Sequence, residues 1–230
     1  MTSDDDEMQG VEAYELTKAY DGIAALDALD LSVGPGELVA LAGANGAGKS
    51  TLLRLAAGLL EPSEGEIWID GFAAGSIDAR AACSYIGDQP SLYGDLSVRE
   101  HIEFVANAHQ LDGWPAGADA LLSALGLDER VDDLPVHFSR GLRQKTSLVL
   151  GLARPFSVLL VDEPFVGLDP AGQQSLTELL VAAAAEGAAV ITATHQLAFL
   201  ERTTRCVVLE EGAVVYDDAP DLASIAPMLE

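Results

Sequence analysis

Gly43-Ala44-Asn45-Gly46-Ala47-Gly48-Lys49-Ser50-Thr51 follows directly on an apolar run, Leu38-Val39-Ala40-Leu41-Ala42, and leads into Leu52-Leu53-Arg54-Leu55-Ala56-Ala57. The stretch satisfies G-x-x-x-x-G-K-[ST], and a strand before it and a helix after it form the setting in which that spacing carries chemistry. Gly43, Gly46 and Gly48 let the backbone turn tightly enough to aim successive N–H groups at a polyphosphate. The helix behind them adds the positive end of its dipole at the same point. In that arrangement Lys49 reaches the β- and γ-phosphates and Ser50 offers its hydroxyl to Mg²⁺, with Asn45 and Thr51 counted in the same cradle. A plain glycine turn would account for one or two of the glycines, but not for Lys-Ser-Thr on the first helical turn. The chain reads as a binder of a nucleoside triphosphate.

Further along, Val158-Leu159-Leu160-Val161 ends in Asp162-Glu163. An apolar run of this length reads as a buried parallel strand, which delivers its last residues to the ligand edge of a sheet. Asp162 at that edge is the acidic partner expected in the Mg²⁺ shell. Glu163, next along the chain, is placed to polarise an attacking water. Alone, the pair also fits a solvated acidic turn; with the phosphate loop upstream it reads as part of one site.

Composition limits what else the chain does. Its 230 residues, 49% of them apolar, bury one substantial core or two small ones. No apolar stretch approaches the roughly 18 residues of a membrane-spanning helix, and the start, Met-Thr-Ser-Asp-Asp-Asp-Glu, has no hydrophobic run behind it. The expected location is the cytosol. The net charge is −25, with only three lysines, Lys18, Lys49 and Lys145. Such a surface repels nucleic acid and favours concentrated salt, which screens self-repulsion. An acidic, Ala-rich composition without a saline cytoplasm is the other reading of that charge. Cys83 and Cys206 lie far apart on apolar segments and read as buried free thiols.

Residues 1–10 read as a disordered acidic tail and 219–230 as a C-terminal tail, around a single domain over 11–218. Strand-like pieces run from Val11 to Leu16, Leu29 to Val33 and Leu38 to Leu41, with another at Glu66 to Ile69. Ser97-Val98-Arg99-Glu100 is a capping box ahead of a helical face, and 116–130 also looks helical, so a mainly helical insert spans about 90–153. Ala189-Val190-Ile191-Thr192 is a further core strand, and the chain closes on a hairpin around Glu211-Gly212.

Between the phosphate loop and the Asp-Glu strand stands Phe138-Ser139-Arg140-Gly141-Leu142-Arg143-Gln144. With this stretch in place, the chain resembles the ATP-binding subunits of ABC transporters from about Val11 to Asp218. The stretch falls where that family has its signature Leu-Ser-Gly-Gly-Gln; it keeps the serine and second glycine and departs at Arg140 and Leu142. Similar Ser-x-Gly-(Met/Leu)-(Arg/Lys)-Gln versions look like the branch that drives two-component exporters. On their own, Ser139 and Gly141 fit an ordinary capped helix as well as an anion-binding helix tip.

The resemblance implies further roles. Gln89 falls where the family places a glutamine that touches Mg²⁺ and water and hinges the insert. His195 takes the place of a switch histidine on the γ-phosphate, although a lone histidine there also reads as structural. Gly167-Leu168-Asp169 matches the loop that crosses between subunits, and Tyr20 sits where an aromatic ring stacks on adenine. His101, His109 and His137 share no ligand spacing and are assigned to packing.

The expected fold is therefore α/β: a P-loop NTPase, RecA-like core with an antiparallel β subdomain and a helical insert carrying the signature motif. The expected ligands are ATP and Mg²⁺. In the family, ATP is clasped between the phosphate loop of one chain and the signature helix of another, which implies a second ATP-binding subunit as partner, a homodimer first. Transport then needs a separate integral membrane subunit, docked on the insert and just after Gln89, including Leu92-Tyr93-Gly94, and holding this chain at the inner face of the cell membrane. The exporter-like signature points to export. The competing class is a soluble ABC ATPase acting on ribosomes, DNA repair intermediates or iron–sulfur assembly; the single cassette and acidic surface weigh against it. No guanine-selective Asn-Lys-x-Asp stretch supports a GTPase.

Overall fold

A computed structural model describes residues 9–229. The acidic stretch 1–8 lies outside the described residues. Gly10, counted above with the tail, is buried, and its N–H donates to Asp70 Oδ1 at 2.6 Å. Strands β1 (Val11–Tyr20) and β2 (Ile23–Val33) pair antiparallel across the turn at Asp21-Gly22, where both residues have positive φ. That geometry suits a tight hairpin. Both strands outrun their sequence reading. Register shifts between Ala13 and Ala19, with Glu15 and Ala28 at φ 46° and 45°, break the alternation by which a strand is recognised.

From there the chain enters β3 (Leu38–Ala42) and α1 (Lys49–Ala56), then β4 (Glu64–Ile69), β5 (Phe72–Ala73), α2 (Ile77–Ala82) and β6 (Cys83–Ile86). Helices α3 (Val98–Ala108), α4 (Ala118–Ala124) and α5 (Arg140–Leu152) follow. The capping box forms as the residues require: Ser97 Oγ accepts from the Glu100 N–H, and Glu100 Oε2 from the Ser97 N–H. The last part holds β7 (Val158–Asp162), α6 (Pro170–Ala185), β8 (Ala189–Ala193), α7 (Leu197–Leu200), the hairpin β9 (Arg205–Glu210) and β10 (Ala213–Asp218), and α8 (Leu222–Ile225).

Two sheets result. One is antiparallel, in the order β2-β1-β4-β5; the other runs β10-β9-β3-β8-β7-β6, parallel except for the edge strand β10. Every residue of β3, β7 and β8 is buried, as expected of strands covered on both faces. Alternation decides which side each serves. Leu38, Ala40, Leu159 and Val161 face the core shared with the insert and α6, whereas Val39, Leu41, Val158 and Leu160 face α1 and the antiparallel sheet. Truncating a leucine in either layer to alanine costs about 2–5 kcal/mol.

The C-terminal stretch is not a free tail. Leu222 and Ile225 share one helical face of α8, and Ile225 is fully buried against the insert-side core. Cys83 and Cys206 are both buried and unpaired, and burial pushes their thiols up to about 12 and about 11.

Candidate nucleotide site

Four parallel strands deliver their carboxyl ends to one edge: β3 runs into the phosphate loop, β7 ends in Asp162, β8 precedes His195 and β6 precedes Gln89. Clefts at this edge are where open α/β sheets bind ligands.

The loop over residues 43–48 is held from three sides. A Cβ on Gly43 would lie 2.2 Å from the Leu209 carbonyl oxygen, and one on Gly48, at φ +109°, 2.6 Å from that of Ala25. Only glycine fits either place. The β9–β10 turn closes the third side, with the Gly212 N–H donating to Ala47 O and the Asp27 N–H to Gly212 O, each at 3.2 Å. Lys49, the first residue of α1, folds its ammonium over the loop, donating to Gly43 O at 2.7 Å and Ala44 O at 3.0 Å. Burial lowers the Lys49 pKa, and the charges of Glu163 and Asp162 pull it back up. A buried cation held by loop carbonyls is poised for exchange to phosphate oxygens.

Asp162 is fully buried at the end of β7. Its Oδ1 accepts from Ser50 Oγ at 3.1 Å, while Oδ2 is buried without a partner. Burial raises its pKa, offset in part by the Ser50 hydrogen bond. An orphaned buried carboxylate oxygen beside a hydroxyl is costly unless a cation completes it, so Ser50 and Asp162 fit Mg²⁺. Among the described residues no group of three or more His, Cys, Asp or Glu side chains could hold a metal alone. Mg²⁺ binds through one or two protein oxygens plus substrate phosphates, a donor set that Ser50 and Asp162 can supply.

Glu163 stands at φ +46°, a left-handed conformation costing a non-glycine residue about 1 kcal/mol or more. Its N–H donates to Ala193 O at 2.9 Å, stitching the end of β7 to the end of β8. The turn that follows brings His195 Nδ1 to 3.1 Å from Glu163 Oε2. The histidine is largely exposed and the glutamate mostly covered, so the imidazole sits at the rim, above the carboxylate.

Asn45, Gly46, Gly48, Lys49, Thr51 and Glu163 line a cleft of about 290 Å³ with Ser50, Ala25 and Asp88. A larger cavity, about 520 Å³, opens at the opposite sheet edge near Asp70 and Ser157, where none of these residues lies; chemistry, and not volume, marks the site. Asp88, not Gln89, forms the wall on the β6 side, and its carboxylate lies 3.6 Å from the Arg54 guanidinium. Gln89 is exposed and outside the cleft lining. Asp88 was missed in the sequence; the only signal was its place at the carboxyl end of the edge strand. Tyr20 is 45% exposed, also outside the lining, with Lys18 Nζ 5.3 Å from its ring centre.

Ser139, Gly141 and Asp169 are not part of this cleft. Ser139 caps α5, its Oγ accepting from the Leu142 N–H at 3.3 Å, and Asp169 pairs with Lys145 at 2.8 Å. His101, assigned to packing, is buried between Ser97 O and the Tyr93 N–H, at 2.8 and 2.9 Å.

Comparison with known proteins shows the family. Residues 26–166 match the ABC transporter family model. The ABC-type transporter ATP-binding protein EcsA of Bacillus subtilis is 34% identical over 90% of this chain and 86% of its own length. The SkfA peptide export ATP-binding protein SkfE of the same organism is 33% identical over 91% and 89%. A solved ATP-binding subunit of an ABC transporter superposes with TM-score 0.87 at 33% identity, covering 96% of this chain and 95% of that one. The ATP-binding cassette MJ0796, solved as a dimer in a post-hydrolysis state with ADP and Pi, does so with TM-score 0.82 at 25% identity, covering 91% and 98%. Phosphate loop, acidic strand end and fold converge with these likenesses: the chain belongs to the ABC transporter family, as one of its ATP-binding, ATP-hydrolysing subunits.

Proposed function

We propose that two copies of this chain close around two ATP molecules and that the cycle of closing and opening drives export through a separate membrane-spanning subunit. The observation that carries this reading is the division of the site. Gly43–Thr51, Asp162, Glu163 and His195 gather at one sheet edge through the Lys49–Gly43, Ser50–Asp162 and His195–Glu163 contacts, whereas Ser139 and Gly141 present a second helix N-terminus outside the cleft there. A nucleotide resting in the cradle leaves its outer face to be met by such a tip from a neighbouring molecule.

In this reading Lys49 and the loop N–H groups bind the triphosphate, and Ser50 and Asp162 would hold Mg²⁺, which would supply positive charge to the phosphate oxygens. Glu163 accepts the proton of the attacking water as its oxygen bonds to the γ-phosphorus and the bridging P–O bond to ADP breaks. His195, with Nδ1 turned to Glu163, offers Nε2 to the γ-phosphate. Gln89 joins only when the insert moves, and Tyr20 stacks on adenine. Asp169 meets the partner across the dimer. Loss of the γ-phosphate contact removes the differential affinity that held the closed state.

No helix among the described residues is long and apolar enough to cross a membrane. Tyr93 and Phe104, each about half exposed, pack edge to face at 5.4 Å on the insert, beside the segment after Gln89. An exposed aromatic pair of this kind suits an apolar segment of the membrane subunit. The chain would then sit on the cytoplasmic face of the membrane through that partner.

Mixing two defective chains tests the division. Lys49→Ala keeps its tip and lacks a cradle; Ser139→Phe keeps its cradle and blocks its tip. Each alone should hydrolyse ATP at a small fraction of the unmodified rate. An equal mixture should recover about a quarter of it, since half the dimers are mixed and each holds one whole site. No recovery on mixing would dismiss the shared site.

A further inference from the structure

Glu163 opens a segment that ends at Asp169, the residue before α6. Two of its side chains are sunk in the core: Phe165, whose ring centre lies 5.0 Å from that of Phe199, and Leu168. Between them Gly167, at φ +85°, turns its carbonyl against the first turn of α5, where a Cβ on Gly141 would lie 2.4 Å from that oxygen. One turn further along α5, Lys145 Nζ meets Asp169 Oδ1 at 2.8 Å. Gly172 leaves room for the pair, since a Cβ there would come within 2.9 Å of Asp169 Oδ1 and 3.0 Å of Lys145 Cε. The Lys145 side chain is 16% exposed and that of Asp169 58%, so the ammonium is covered while solvent reaches the carboxylate. The Lys145 hydrogen bond holds the Asp169 carboxyl below the usual carboxylate range.

The segment carrying Glu163 and the tip carrying Ser139 and Gly141 therefore touch twice, once through paired glycines and once through an ion pair. Under the reading above, on which this step rests, these two pieces serve different nucleotides. We infer that Lys145 is a positioning residue that fixes, inside one chain, the spacing between Glu163 of its own site and the α5 tip offered to the other site. It touches no nucleotide. It makes the two half-sites of a chain move as one body, so that a shift of the Glu163 segment in one site displaces the tip closing the other.

A dimer with a single working site separates this role from local packing. In the Lys49→Ala and Ser139→Phe mixture, the working site takes its cradle and Glu163 from the Ser139→Phe chain and its tip from the Lys49→Ala chain. Lys145→Met, which keeps the stem and removes the charge, is added to one chain at a time. Placement on either chain should lower turnover about tenfold, because misplacing Glu163 and misplacing the tip each spoil alignment. Lys145→Arg, which keeps the charge and leaves Asp169 as it is, should restore most of it. If one placement is silent, or if the arginine variant is as defective as the methionine variant, the inference is overturned while the shared site stands. If the parent mixture never regains turnover, the shared site fails first and the inference with it. Should Lys145→Met lose its thermal unfolding transition, the arginine variant decides alone: an active one supports the link, and an inactive one refutes it.

Discussion

The N-terminus of α1 is walled in, with a strand carbonyl against each of two glycines, a hairpin turn bonded to Ala47 and a lysine folded over the loop. The N-terminus of α5 has one capping serine, itself exposed, followed by an exposed Arg140. Both ends present N–H groups suited to an anion. The first is braced before any ligand arrives, and its cost in buried charge is already visible at Asp162 and Lys49. The second is an outward face whose rigidity comes from behind, through Gly167 and Lys145. On the proposed reading, one chain carries a binding half and a closing half that serve different nucleotides, one braced in advance and the other held from behind.

The largest effect expected from this contrast comes at Glu163. Glu163→Gln keeps the shape and hydrogen bonding of the braced half while removing the base. Turnover should fall by about 10²–10⁴-fold, the usual worth of a positioned general base. The closing half is untouched, so the variant should accumulate as an ATP-dependent dimer in light scattering. Turnover at the unmodified rate would remove Glu163 from its role, and a monomer at saturating ATP would break the link between the halves.

The braced half was the more legible in sequence. Its residues are consecutive or end an apolar strand, so local spacing implies their geometry. The pairing of His195 with Glu163 was not legible, because it depends on the Glu163 N–H reaching Ala193 across two strands. Asp88 was missed for a similar reason: nothing in Ile86-Gly87-Asp88-Gln89 says which side chain faces the cleft. At the closing half the capped helix was readable. The pairing of Lys145 with Asp169 was not, since one side chain lies on α5 and the other beyond β7. Residues 219–230 misled because a four-residue helix shows too little periodicity to betray a buried Ile225.

A smaller effect, opposite in sign at the two helix ends, sharpens the comparison. The Asp162 pKa is raised, chiefly by burial, so folding penalises the charged carboxylate relative to the neutral acid. Its contribution to stability is therefore full below the ordinary carboxylate range and is lost as pH rises through the raised value. Asp162→Asn should stabilise the nucleotide-free chain at pH 7 by about 1 kcal/mol, or about 2–4 °C in Tm, while abolishing Mg²⁺-dependent hydrolysis. The gap should close as the pH falls through the raised Asp162 value, below which both side chains are neutral. Ser139→Ala, by contrast, should cost about 1 kcal/mol by removing a helix cap. An Asp162→Asn chain that melts below the unmodified protein at pH 7 would mean that attraction between Lys49 and Asp162 outweighs the burial cost.

The smallest effect concerns salt and separates the halves by range of interaction. Binding in the cradle is a contact between one chain and one nucleotide. Closure of the proposed homodimer would bring together two chains that each carry a net charge of −25. Raising KCl from 0.1 M to 1 M shortens the screening length from about 10 Å to about 3 Å and removes most of that repulsion. Dimer formation by Glu163→Gln at subsaturating ATP should therefore strengthen several-fold, whereas binding of a fluorescent ATP analogue to Ser139→Phe should change less and in the opposite direction. Dimers that weaken steadily with KCl would show that the local attraction of Arg140 and Arg143 for the acidic partner outweighs the repulsion of the whole surfaces. In that case the exposed tip would steer its own docking and would not merely wait for ATP to overcome the charge.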